Sequence, residues 1–105
     1  MKIRSRELEE QLRQLADTWR EQTHYLSSVH EIVLHPAYQR IIGTGPAALQ
    51  FIFRELENSP DHWFWALSAI TGEDPVPPED RGNLRAMASH WLQWARKKGY
   101  INRES

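Results

Sequence analysis

Residues 35–73, HPAYQRIIGTGPAALQFIFRELENSPDHWFWALSAITGE, decide the fold, because they hold two apolar helical runs together with the residues that start and stop them. Pro46 suits the first turn of a helix, where a missing backbone N–H costs nothing. After it, Leu49, Ile52, Phe53 and Leu56 recur at i, i+3, i+4 and i+7, and Ala48 and Phe51 widen the stripe, so this helix is predicted to be covered on more than one side. Asn58-Ser59-Pro60 ends it. Asp61 is placed to cap a further helix running to Thr71, with Trp63, Ala66, Leu67 and Ile70 on one side and Gly72 as its terminator. Phe64 and Trp65 fall away from that side.

Upstream, Leu8, Leu12, Leu15 and Trp19 form a narrow apolar line over about Ser5–Gln22, with Ser5 as cap and Glu9 set four before Arg13. So narrow a stripe needs a partner surface, and docking on its own domain is the expected outcome. Thr23–Ser28 reads as a connection. Ser28 and Glu31 then have the spacing of a capping box opening a short helix over Val29–Leu34, which Pro36 stops, leaving His35 at the break. Ala37, Ile41 and Ile42 belong to the next helix, ended by Gly43-Thr44-Gly45.

Downstream, the three prolines in Glu73–Glu79 predict an extended connection. A last helix from about Glu79 to Lys98 carries Leu84, Met87, Ala88, Trp91, Leu92 and Ala95 on one face, with acids at its start, Arg96, Lys97 and Lys98 at its end, and Gly99 after it. Tyr100 and Ile101 are expected to fold back over the last turn. No segment alternates as a strand does. The reading is an all-α fold: residues 1–105 form one small domain of about five helices in an irregular array, an N-terminal amphipathic helix within 1–26 preceding a helical core over 28–101.

The formal net charge of −1 supplies no global field toward nucleic acid or membrane, and the absence of cysteine removes disulfides, thiolate zinc sites and cysteine nucleophiles. A charged N-terminus and the lack of any long apolar window predict a cytoplasmic chain. Five tryptophans stand at positions 19, 63, 65, 91 and 94, more large rings than so small a core is expected to bury completely.

The run IIGTGPAALQFIFRELENSPDHWFWALSAITGE resembles a HEAT-type helical pair at Gly45, Ala48, Leu49, Leu56, Ala66, Leu67, Ile70 and Gly72. The likeness covers about a third of the chain, and one such pair is present where these repeats normally come in stacks. It implies a HEAT-like array that binds protein or nucleic acid and is not itself a catalyst. The phrases HPAYQRIIGTGP and PDHWFWALSAITGEDPVPP are also similar to a set of small bacterial proteins, a likeness that brings no activity with it.

Motifs for chemistry are weak. His30-Glu31 with His35 nearly spells HExxH, but the histidines are five apart, about 140° around a helix, and cannot meet one metal on a single face. Gly43-Thr44-Gly45 with Ala48 fits the letters of a dinucleotide loop without its βαβ context, and Pro46 deletes one of the donor N–H groups. His24, His35, His62, His90, Asp61 and Glu55 assemble no acid–base constellation from spacing. His90 is expected to make a partly buried polar contact.

The expected function is therefore a protein-binding or adaptor module, not an enzyme, with no cofactor and no metal. Trp19, Phe64, Trp65 and Trp94 are the candidate partner residues, since exposed tryptophan concentrates binding energy. The alternative is a nucleic-acid-binding or antitoxin-like regulator using Arg96, Lys97, Lys98, Tyr100 and Arg103, helped by Arg81 and Arg85. A third reading, a hydrolase or metal protein, centres on His35 and His62.

Overall fold

A computed structural model describes residues 5–101. Among them there is no strand. The order is α1 (Ser5–Thr23), α2 (Val29–Val33), α3 (Pro36–Thr44), a 3-10 turn (Gly45–Ala48), α4 (Leu49–Asn58), α5 (Phe64–Thr71), a second 3-10 turn (Pro78–Asp80) and α6 (Leu84–Lys98). The fold is thus all-α, with five helices of eight residues or more plus the single turn α2.

Helix α1 packs on α3, α3 on α5, and α4 on α6. Leu12, Ala16 and Trp19 are buried, so the narrow stripe of α1 is covered by its own domain. The Trp19 indole N–H donates to the Ile32 carbonyl (2.8 Å), which ties α1 to α2 and leaves none of the ring at the surface. Trp19 is therefore a core residue and no part of an exposed docking face. Its ring lies 5.1 Å from Tyr38 and 4.7 Å from Trp63, and Tyr38 stacks on Trp63 at 5.9 Å. The Tyr38 hydroxyl donates to the His62 carbonyl (2.8 Å) and accepts from the Ala66 amide (2.9 Å), so α3 is fastened to the start of α5 by both of its polar directions. Burial, more than any other cause, raises the pKa of that phenol well above its ordinary value.

Arg20 closes this cluster from outside. Its guanidinium lies 5.6 Å from the centre of the Trp63 ring and pairs with Glu55 (2.5 Å) and Asp61 (3.6 Å), joining α1 to α4 and to the α4–α5 connection. A second aromatic group joins α4 to α6: Phe53, Trp91, Trp94 and Tyr100, with neighbouring centroids 5.5–6.4 Å apart. On α4, Leu49, Phe51, Ile52, Phe53 and Leu56 are all buried, because it lies between the two groups.

Helix ends depart from the sequence reading in instructive ways. Ser28 sits at the cap position of α2 but makes no capping hydrogen bond; Ser28 and Glu31 are both exposed, so water competes for their side chains. Asp61 does not cap α5. Its carboxylate accepts from the adjacent His62 amide (2.7 Å) and pairs with Arg20, and the helix starts at Phe64. Gly43 stays within α3, only Gly45 of that pair takes a positive φ (77°), and Pro46 opens a 3-10 turn before α4 begins at Leu49. Glu9 pairs with Arg54 of α4 in place of the expected Arg13.

The last helix begins at Leu84, five residues after the expected start. Asn83 caps it by accepting from the Ala86 amide (3.1 Å), while Pro78–Asp80 forms its own turn. At the other end Gly99 (φ 85°) donates to Arg96 O (3.2 Å) and Tyr100 donates to Ala95 O (2.9 Å), the paired bonds of a Schellman close. Tyr100 folds back as expected and stacks on Trp94, 5.8 Å between centroids with planes 11° apart.

Candidate functional site

Among the described residues an apolar cleft of about 430 Å³ opens where α2, α5 and α6 meet the α5–α6 connection. Each wall follows from local sequence. From α5 come Phe64 and Trp65, one and two residues past Trp63; rotations of about 100° and 200° carry them away from the buried face that Trp63, Ala66 and Leu67 share. Leu84, Met87 and Trp91 line the cleft from α6 at i, i+3 and i+7, and Val29 and Val33 close it from α2.

The polar rim comes from the proline-rich connection. Val76 is buried and anchors this extended strap, and its amide donates to one carboxylate oxygen of Asp74 (3.1 Å). The other oxygen receives the Arg81 guanidinium at 2.5 Å. Arg81 itself follows the Pro78–Asp80 turn, its amide bonded to the Pro78 carbonyl (3.3 Å). Farther along, Asp80 pairs with His90 of α6 (2.7 Å), the partly buried polar contact expected of His90.

Two of the residues lining the cleft are large, exposed apolar side chains. Trp65 is 59% exposed and Val29 49%, and among the described residues the other large exposed apolar side chains are Leu34 and Tyr25, near α2 in the chain. Single exposed apolar residues are ordinary, but a large ring at the lip of an apolar concavity marks a surface that another molecule can cover.

The four aromatic candidates do not share one face. Phe64 and Trp65 come together in the cleft, whereas Trp19 is inside the core. Trp94 lies one ring removed, against Trp91 (5.5 Å) and under Tyr100, with the Lys98 ammonium 5.8 Å from its ring centre. Of the basic group, Lys97 and Lys98 are exposed and Arg96 is half-buried at the end of α6, and the ring of Tyr100 is stacked on Trp94. Arg103 lies outside the described residues.

His35 and His62 are not joined in one site. His35 accepts from the Ala37 amide at Nδ1 (3.0 Å), which caps α3, and its Nε2 meets Gln22 (2.7 Å), so both ring nitrogens are engaged by the protein. The hydrogen bonds assign the proton to Nε2. His62 lines the cleft. Among the described residues no group of three His, Asp or Glu side chains is placed to hold a metal ion, and no helix is long and apolar enough to cross a membrane.

Sequence reasoning missed the opposite wall. Leu84, Met87 and Trp91 carried a clear helical stripe, but nothing in the stripe says which neighbour it faces. Arg81 carried a weak signal, a basic residue in a turn three after the last proline of a stiff connection. Comparison with protein-family models, curated proteins and solved structures gives no significant match to this chain.

Proposed function

We propose that this chain is a small cytoplasmic protein-binding module that docks on a larger protein through the Phe64–Trp65 cleft. The observation that carries the reading is the Trp65 indole, 59% exposed at the lip of an apolar cleft of about 430 Å³. Binding energy at protein interfaces concentrates in such rings where a concave apolar surface can exclude water around them. The resemblance of residues 41–73 to a HEAT-type helical pair supports the same reading, since such pairs present helical faces to partners. The proposed mechanism is docking alone: the module positions its partner and carries no reaction of its own.

Affinity purification tests this with three proteins in parallel, the intact chain, Trp65→Ala and Trp94→Ala. A partner retained by the intact chain and by Trp94→Ala, and lost by folded Trp65→Ala, is the expected result. With that partner purified, truncating Trp65 is expected to weaken affinity by about 30-fold, the scale of an interface hot spot. An unchanged partner set and affinity for Trp65→Ala sinks the proposal.

A further inference from the structure

We draw no further inference here: the strongest candidate, the apolar cleft between α2, α5 and α6, carries nothing beyond the docking reading, because Asp74 and Arg81 on its lining are already paired with each other and nothing in the structure shows what covers it.

Discussion

Trp63 and Trp65 stand two residues apart and belong to two different regions, the sealed cluster with Trp19 and Tyr38 and the open cleft with Phe64 and Trp91. Trp63 is fully buried, while more than half of Trp65 is in solvent. A rotation of about 200° along the chain separates them. The same residue type thus does opposite work: one ring holds α1, α3 and α5 together, and the other remains at the lip of a concavity that the domain does not fill. The buried ring is not perfectly housed, since its indole N–H has no hydrogen-bond partner among the described residues. Its place is held by ring contacts and by Arg20 above it.

The largest expected effect breaks the sealed side. Trp63→Ala is expected to destabilise the domain by about 3–5 kcal/mol, the range for truncating a buried large aromatic, read by chemical denaturation. A loss below about 1 kcal/mol would mean that the inner cluster is not what fastens α5.

Tyr38→Phe comes next and sharpens the comparison chemically. The substitution keeps the ring and leaves the His62 carbonyl and the Ala66 amide without their partner, at a cost of about 1–3 kcal/mol. The raised pKa adds a pH dependence whose sign is fixed. The folded state keeps the phenol protonated above the unfolded value of about 10, so the contribution is complete below pH ~10 and declines above it. The decline is about 1.4 kcal/mol per pH unit for one group, and in Tyr38→Phe that increment should vanish from the alkaline stability profile.

The smallest effect lies on the open side. Trp65→Ala is expected to change stability by no more than about 0.5 kcal/mol, since its ring is mostly in water, while weakening partner binding by about 30-fold. A destabilisation comparable with that of Trp63→Ala would erase the distinction between the two regions.

Much of this contrast is legible in the sequence. Helical periodicity separates Trp63, Ala66 and Leu67 from Phe64 and Trp65, identifies the buried stripe of α4, and places Gly72 and Gly99 at helix ends. Gly72 (φ 73°) and Gly99 (φ 85°) both take the left-handed conformation that those ends require. Capping was less legible, because Asp61 satisfies the rule for a cap yet its carboxylate is drawn off by Arg20, forty-odd residues away in the chain. Similarly, Glu79 and Asp80 look like the acidic first turn of α6, but Asn83 performs the capping and Asp80 serves His90.

By itself, the amino-acid order determined the number and kind of helices, the face each must bury, and the surplus of aromatic surface. Those follow from local rotation per residue and from backbone preference, both properties of the chain within a few residues. Only the tertiary structure decided that Trp19 is sealed, that Trp94 stands apart from Trp65, and that Trp91 and Arg81 complete the cleft. The path of the strap between α5 and α6, pinned by Val76 and clasped by Asp74, sets which helix faces which, and that choice is made by contacts between residues far apart in sequence.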